Sequence, residues 1–159
     1  MRIAICPGSF DPVTKGHLDI IRRATTLFDK VIIGVSVNPN KKGCFTLEER
    51  VNLIKKCTTD IPNIEIDIVD TLLAEYAKKV NACAIVKGLR AVTDFEYEFQ
   101  MALANKKLCP TAETLFLTTA LDNMYLSSSL VKQIASFGGD ITDFVSPEIK
   151  DIVVNRLKK

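Results

Sequence analysis

Short runs of apolar, β-branched residues alternate along the chain with longer segments in which apolar residues recur every three or four positions. The short runs predict strands, and the near-continuous hydrophobicity of most of them indicates burial on both faces. Five strands are predicted in this way, over residues 2–6, 31–37, 64–69, 84–87 and 115–118. Strands that alternate with helices are typical of a parallel sheet with crossover connections.

Two helices are predicted from capping boxes, in which a Thr side chain and a Glu three residues later bond to each other's backbone N–H groups. Thr46 with Glu49 starts one helix, and Thr93 with Glu96 starts another that reaches about Lys107. Further helices follow from the apolar period or from Gly and Pro at their ends, over 18–28, 72–80 and 128–137 and after Ser146. The sequence therefore predicts an α/β fold, a Rossmann-like, doubly wound five-stranded parallel sheet with helices on both faces.

Length and composition narrow the class of protein. A chain of 159 residues fits one domain over 1–159, and 47% hydrophobic with 25% charged residues excludes disordered and fibrous proteins. The net charge of +2 is too small to indicate nucleic acid or a membrane surface as a partner. If the protein binds anions, we therefore expect a local group of residues to bind them, and not the net charge of the whole protein.

The rare residues exclude several kinds of site. His17 is the single histidine, so a metal site with two or more His ligands is excluded. The five cysteines are scattered without a C-x-x-C pair, which excludes a zinc knuckle, a thioredoxin site and a disulfide scaffold. Since no secretory signal or membrane-spanning run is apparent, we expect a cytoplasmic protein.

The segment 7–17 between the first strand and the first helix is the strongest candidate for chemistry. Open α/β sheets bind phosphates at this position, beside a helix N-terminus. Gly8 and Gly16 allow a close backbone approach, Ser9 and Thr14 offer hydroxyls, and His17 falls in the first helical turn. A Walker A loop and a G-x-G-x-x-G motif are both absent from the sequence. A lone His at a helix start can also be a simple cap.

Three further segments follow predicted strands, so they are expected at the same edge of the sheet. Segment 38–42 carries Lys41 and Lys42, which could equally form a solvated turn. Segment 87–98 places Lys87 and Arg90 before a helix N-terminus, a combination suited to anionic oxygens. Segment 125–132 carries three serines before an apolar stripe, which could be only an N-cap. One shared polyphosphate site accounts for all of them.

Thr14-x-Gly16-His17, after Gly8-x-Phe10-Asp11-Pro12, resembles the [HT]-x-G-H signature of the nucleotidyltransferase superfamily. The resemblance implies that the phosphates of a nucleotide lie on this loop and that His17 contacts the α-phosphate during transfer. Phosphoryl transfer needs positioning and electrostatic stabilisation more than covalent chemistry, so one hydrogen-bond donor suffices.

Residues along nearly the whole chain resemble the bacterial phosphopantetheine adenylyltransferase family, most specifically the runs Gly88-Leu89-Arg90-Ala91 and Asp94-Phe95-Glu96-Tyr97-Glu98. The resemblance implies transfer of AMP from ATP to 4'-phosphopantetheine, giving dephospho-coenzyme A and pyrophosphate. It assigns the pantetheine substrate to Ser9, Lys41, Leu73 and Lys87. It assigns ATP to Ser9, Phe10, His17, Gly88, Leu89, Arg90, Glu98, Asn123, Met124, Tyr125, Leu126, Ser127, Ser128 and Ser129.

The same resemblance makes His17, Lys41 and Arg90 the candidate catalytic residues. It implies Mg²⁺ carried by the triphosphate, with no metal ligands from the protein, a homohexamer, and coenzyme A as a feedback inhibitor. Lys87 stands where many relatives have arginine. At this contact, a single ammonium group therefore replaces the planar guanidinium group and its paired N–H donors.

The sequence also permits other interpretations. A nicotinamide-mononucleotide adenylyltransferase or a glycerol-phosphate cytidylyltransferase would share the first loop, although segment 87–98 favours the pantetheine enzyme. A non-catalytic nucleotide-binding module is the alternative from another class. A hydrolase built on Ser9 and His17 lacks the G-x-S-x-G elbow.

Overall fold

The computed structural model describes residues 1–90 and 92–158, in which five strands form one sheet. The strands are β1 (Ile3–Gly8), β2 (Lys30–Val35), β3 (Ile64–Ile68), β4 (Ala84–Leu89) and β5 (Glu113–Thr118). They lie in the order β3-β2-β1-β4-β5, and each neighbouring pair is parallel. The chain order reverses between β1 and β4, where an open α/β sheet has its ligand crevice.

Each predicted helical segment forms a helix in the described part of the chain. The helices are α1 (Lys15–Leu27), α2 (Leu47–Cys57), α3 (Leu73–Lys79), α4 (Val92–Leu108), α5 (Ser128–Ser136) and α6 (Pro147–Leu157). A single 3₁₀ turn, Leu121–Asn123, lies between β5 and α5. No helix in the described ranges is long and apolar enough to cross a membrane.

The sheet has a buried core on each face, because successive side chains of a strand point to opposite sides. On one face, Ala4 and Ile33 belong to a large cluster that includes residues of α1, α2, α5 and α6. On the other face, Ile5 and Ile32 pack with Ala77 of α3 in a smaller cluster. The predicted α/β sheet with helices on both faces is therefore confirmed.

The strand ends differ from the prediction at the edge where the candidate segments begin. β1 continues to Gly8, beyond the predicted end at Cys6, because Pro7 and Gly8 still pair with β2. Its pairing with β4 is confined to Ala4 and Ile5. Pro7, which has no backbone N–H to donate, therefore breaks no hydrogen bond between β1 and β4. The separation of β1 from β4 opens the crevice between them.

The predicted helix starts are confirmed at two of three positions. The Thr46 hydroxyl accepts the Glu49 N–H at 3.2 Å, and the Glu49 carboxylate accepts the Thr46 N–H at 2.8 Å. α6 begins at Pro147 after Ser146, although the Ser146 hydroxyl donates to a side chain rather than capping the backbone. The third, a capping box at Thr93, stays a prediction, and α4 is described from Val92 onwards. The side chain of Thr93 and the whole of Ala91 lie outside the described residues.

α4 carries a surface of apolar side chains that the described chain leaves exposed. We call it the α4 surface, and it consists of Phe95, Phe99 and Leu103, which recur every four residues on one side of the helix. Phe95 and Phe99 stack with their ring centroids 5.4 Å apart. Contiguous exposed apolar area of this kind marks an interaction surface in soluble proteins.

Candidate functional site

A cavity of about 420 Å³ lies at the carboxyl edge of the sheet, where β1 and β4 separate. This volume is within the usual range for small-molecule sites, about 300–1,000 Å³. The four predicted segments meet there, because the carboxyl ends of parallel strands share one edge. The predicted site residues that line it are Ser9, Phe10, His17, Lys41, Lys87, Gly88, Arg90, Glu98, Asn123, Leu126, Ser127, Ser128 and Ser129.

Four predicted site residues do not line this cavity. Leu89 and Met124 line a shallower pocket beside it, which shares Arg90 with the main cavity. Leu73 begins α3 and packs against the smaller core cluster. Tyr125 is 60% exposed, and its ring lies edge-on to another aromatic ring rather than in the cavity.

His17 is held as a neutral hydrogen-bond donor. Its Nδ1 accepts the backbone N–H of Thr14 at 3.0 Å, as the third residue of a capping box at the start of α1. Because Nδ1 accepts, the ring proton belongs on Nε2, the other ring nitrogen. Burial, reinforced by the positive charge of Arg90, lowers the pKa of His17 to about 4. The imidazole is therefore uncharged at neutral pH.

The loop between β1 and α1 is strained at Phe10. This bulky residue has a φ of 48°, in the left-handed region that non-glycine residues rarely adopt. Its ring is buried, 5.0 Å from the His17 ring, and a Cβ on Gly8 would come within 3.1 Å of it. Such a conformation costs about 1–3 kcal/mol and persists only where neighbouring groups enforce it. The loop therefore has a fixed shape around His17.

The segment after β4 contributes an ion pair and a cation to the cavity. Lys87 Nζ lies 2.7 Å from the Glu98 carboxylate, and both side chains are about one-fifth exposed. Arg90 donates from Nη1 to the Leu126 carbonyl at 3.0 Å, which ties this segment to the one after β5. The sequence resemblance assigned Lys87 and Glu98 to different substrates, whereas the structure pairs them.

The three serines at the start of α5 differ in their contacts. Ser127 is the N-cap, since its hydroxyl accepts the Leu130 N–H at 3.1 Å. Ser128 donates to the Pro12 carbonyl at 2.8 Å, across to the first loop. The N-terminus of α5 lies at the cavity wall together with Ser129. Its backbone N–H groups and dipole favour negative charge.

Sequence reasoning missed a buried charged network beside the cavity. Asp11 is 6% exposed and lies 3.5 Å from Arg50 Nε and 3.3 Å from Lys132 Nζ. Arg50 is also 6% exposed, and it occupies the buried stripe of α2 together with Leu53 and Ile54. A charged residue within an apolar stripe of period three and four is the signal that could have revealed it.

The comparisons with known proteins agree with this architecture. The model of the cytidylyltransferase-like family matches residues 5–134. The phosphopantetheine adenylyltransferase of Caldanaerobacter subterraneus subsp. tengcongensis is 59% identical over 159 residues, covering 100% of this chain and 99% of the relative. That of Clostridium perfringens is 53% identical over 157 residues, covering 99% and 96%.

Solved structures that resemble this one share the fold at low identity. A nicotinate-nucleotide adenylyltransferase structure from Vibrio parahaemolyticus matches with a TM-score of 0.73 and 20% identity, covering 98% of this chain and 93% of its own. A nicotinic acid mononucleotide adenylyltransferase from Plasmodium falciparum matches with a TM-score of 0.68, 14% identity and the same coverage. These structures share the fold alone, whereas the full-length relatives above 50% identity and the family model show that the chain belongs to the phosphopantetheine adenylyltransferases, within the cytidylyltransferase-like family.

Proposed function

We propose that this protein transfers the adenylyl group of ATP to 4'-phosphopantetheine and releases dephospho-coenzyme A and pyrophosphate. The observation that carries the proposal is the meeting of four segments around a neutral His17 in one cavity at the switch point of the sheet. The names of the full-length relatives support the choice of substrate.

The reaction is an in-line displacement at the α-phosphorus of ATP. A phosphate oxygen of 4'-phosphopantetheine forms the new bond, and the bond from the α-phosphorus to the bridging oxygen of the β-phosphate breaks. Because the attacking phosphate is already ionised, no side chain has to remove a proton. The neutral imidazole of His17 fits this requirement, since it can donate from Nε2 but is a weak base.

Charge develops on the α-phosphate oxygens in the transition state, and the donors around the cavity are suited to receive it. We assign this role to His17, Lys41 and Arg90, which line the cavity from three different segments. Arg90 is oriented by its bond to the Leu126 carbonyl. The N-terminus of α5 with Ser128 and Ser129 is assigned to the β- and γ-phosphates, where its amides favour anions.

The remaining ATP contacts are assigned to both pockets. Ser9, Phe10, Gly88, Glu98 and Asn123 lie around the main cavity, and Leu89 and Met124 lie in the adjoining pocket that shares Arg90.

For 4'-phosphopantetheine we propose Ser9, Lys41 and Lys87, which line the cavity. Lys87 is engaged with Glu98 at 2.7 Å, so substrate phosphate would have to compete with that carboxylate for the ammonium group. Leu73, at the start of α3, is proposed to meet the part of the substrate that extends beyond the cavity.

Mg²⁺ is proposed to enter with ATP, and the cavity fits a metal carried by the nucleotide. The carboxylates among its described lining residues are Asp11 and Glu98, and each is already paired with a cationic side chain. Triphosphate oxygens and water would therefore supply the ligands that this hard cation prefers. A metal held in this way would neutralise charge on the phosphates.

We further propose that the chain is a single nucleotidyltransferase domain that assembles as a homohexamer through the α4 surface. That surface exposes large apolar side chains, among them Leu103 at 58% and Phe99 at 47%. Leu103→Glu would place a charge in such an interface and shift the sedimentation coefficient towards the monomer. Gln133→Glu, at an exposed position on α5 away from that surface, is the matched one-unit charge change. An unchanged Leu103→Glu assembly would refute the use of this surface.

A cytoplasmic location and feedback inhibition by coenzyme A belong to the same proposal. Coenzyme A contains both the pantetheine and the adenylate parts, so it would occupy both halves of the site. Competition by coenzyme A against each substrate in initial-rate measurements tests the second point.

A panel of acceptors tests the proposed reaction. Pyrophosphate release from Mg²⁺ and ATP is expected with 4'-phosphopantetheine and not with nicotinamide mononucleotide or glycerol phosphate. Turnover that required nicotinamide mononucleotide would identify the rival adenylyltransferase. Binding of ATP without turnover of any acceptor would indicate a non-catalytic nucleotide-binding module.

A further inference from the structure

Asp11 has no role in the assignments above, although it is one of the most enclosed charged groups at the cavity. Its Oδ1 accepts the Phe45 N–H at 2.9 Å and lies 3.5 Å from Arg50 Nε. Its Oδ2 accepts the Cys44 N–H at 2.9 Å and a hydrogen bond from Lys132 Nζ at 3.3 Å. Both carboxylate oxygens therefore already have protein donors, which makes a direct role in binding phosphates unfavourable.

These contacts join three walls of the cavity. Asp11 belongs to the β1–α1 loop, Cys44 and Phe45 end the β2–α2 loop, and Lys132 lies on α5. Arg50 strengthens the connection between the β1–α1 and β2–α2 loops. It donates from Nε to the Phe45 carbonyl at 2.9 Å and from Nη1 to the Ser9 carbonyl at 3.2 Å. A single buried carboxylate thus holds together loops that are far apart in sequence.

The β2–α2 loop carries Lys41, which is exposed and lines the cavity rim. At one end of the loop, the Ser36 N–H donates to the Gly8 carbonyl at 2.9 Å. At the other end, Asp11 holds the backbone through Cys44 and the residue after it. Both anchors belong to the β1–α1 region, so the position of Lys41 relative to that loop depends on them.

Gly43 gives independent evidence that the backbone of the β2–α2 loop follows a fixed path near Asp11. A Cβ at this position would collide with the Arg50 guanidinium. The backbone of the β2–α2 loop therefore passes directly against Arg50, and Arg50 lies against Asp11. Close packing of this kind transmits a displacement at Asp11 to the loop.

We propose that Asp11 is a positioning residue that sets the place of Lys41 at the reacting phosphates. The inference rests on the proposed function, in which Lys41 stabilises the transition state. Asp11→Asn keeps the volume of the side chain but leaves one oxygen for two backbone N–H groups, and its amide N–H₂ faces donors. The anchor at Cys44 and Phe45 is thereby weakened.

The test is a double-mutant cycle between Asp11→Asn and Lys41→Gln. It uses single-turnover formation of dephospho-coenzyme A at saturating substrates, with enzyme in excess so that slow variants stay measurable. If Asp11 acts through Lys41, the rate of the double variant will be at least tenfold higher than the rate expected if the losses of the two single variants multiplied. If Asp11 only stabilises the fold, the two effects will multiply, and the inference is overturned.

Asp67→Asn is the matched control. The Asp67 carboxylate accepts a hydrogen bond from the Tyr76 hydroxyl at 2.6 Å, in contact with the smaller core on the other face of the sheet. Its effect is expected to multiply with that of Lys41→Gln within about twofold, as for distant independent sites. Tenfold coupling of Asp67→Asn with Lys41→Gln would mean that the cycle reports general loosening, and would overturn the inference.

Circular dichroism and thermal unfolding establish that each variant is folded at the assay temperature. If Asp11→Asn is unfolded there, Arg50→Lys replaces it in the cycle, because it keeps the charge but loses the fork that bonds to Phe45 and Ser9. Multiplying effects in that cycle would equally refute the inference. Absence of product from the wild-type chain would instead refute the proposed function, and the inference with it.

Discussion

The role of His17 can be separated from its structural contribution by a pair of substitutions. His17→Asn places an amide oxygen where Nδ1 stands, so it can still accept the Thr14 N–H, which is 3.0 Å from Nδ1 in the wild type. It has no donor at the position of Nε2. His17→Ala removes both functions. The pair therefore distinguishes the role in the helix cap from the proposed role as a donor to the phosphates.

The expected magnitudes differ for rate and for stability. Loss of one preorganised donor to a developing oxyanion lowers kcat by about 10²–10³-fold, or roughly 2.7–4 kcal/mol, and both variants should show it. Loss of the cap costs about 1 kcal/mol, which lowers Tm by about 2–4 °C in a chain of this size. That decrease is expected for His17→Ala, whereas His17→Asn should melt close to the wild type.

The assay is initial-rate formation of dephospho-coenzyme A, with thermal unfolding measured on the same preparations. A kcat for His17→Asn within a few-fold of the wild type would refute the donor role. A large loss with Ala and a small one with Asn would show that His17 matters only as the partner of Thr14 in the cap.

Three further predictions follow from the structure. The pKa of His17 is about 4 in the folded chain and about 6.5 when unfolded, so its stabilising contribution is complete above about pH 6.5 and is lost as the pH falls towards 4. The free energy of unfolding, measured in urea, should therefore decrease more steeply over that pH range in the wild type than in His17→Asn. Parallel dependences on pH in the two proteins would contradict the assignment. Gly88→Ala places a Cβ 2.9 Å from Ile20 Cγ1, and we expect a loss of about 1–3 kcal/mol in unfolding free energy with a raised KM for ATP; wild-type values would show that Ile20 yields freely. Ile54→Ala should cost about 2–5 kcal/mol because Ile54 is fully buried, whereas Ile152→Ala, at a 38% exposed position, should stay within about 0.5 kcal/mol; equal losses would contradict the packing.

The fold could be predicted from the sequence because its signals are local. Short apolar, β-branched runs identified the five strands, and the Thr46 capping box identified the start of α2. The exact ends were less accessible, since β1 continues through Pro7 and Gly8 by pairing with β2 and not by hydrophobicity. The box predicted at Thr93 stays untested, because the side chain of that residue lies outside the described residues.

The candidate site was predictable at the level of segments and less so at the level of contacts. Parallel strands bring their carboxyl ends to one edge, which is why four separate segments meet in one cavity. The Lys87–Glu98 pair and the partners of Asp11 depend on side-chain placement in three dimensions. The contacts of Asp11 reach Cys44 and Lys132, 33 and 121 residues away, and no local pattern specifies such distances.

The product itself is the most direct test of the proposed reaction. The wild-type chain is incubated with Mg²⁺, ATP and 4'-phosphopantetheine, and the mixture is analysed by mass spectrometry. We expect dephospho-coenzyme A and pyrophosphate in equal amounts, with the α-phosphorus of ATP in the nucleotide product. Recovery of unchanged 4'-phosphopantetheine, under conditions where the chain is folded and binds ATP, would contradict it.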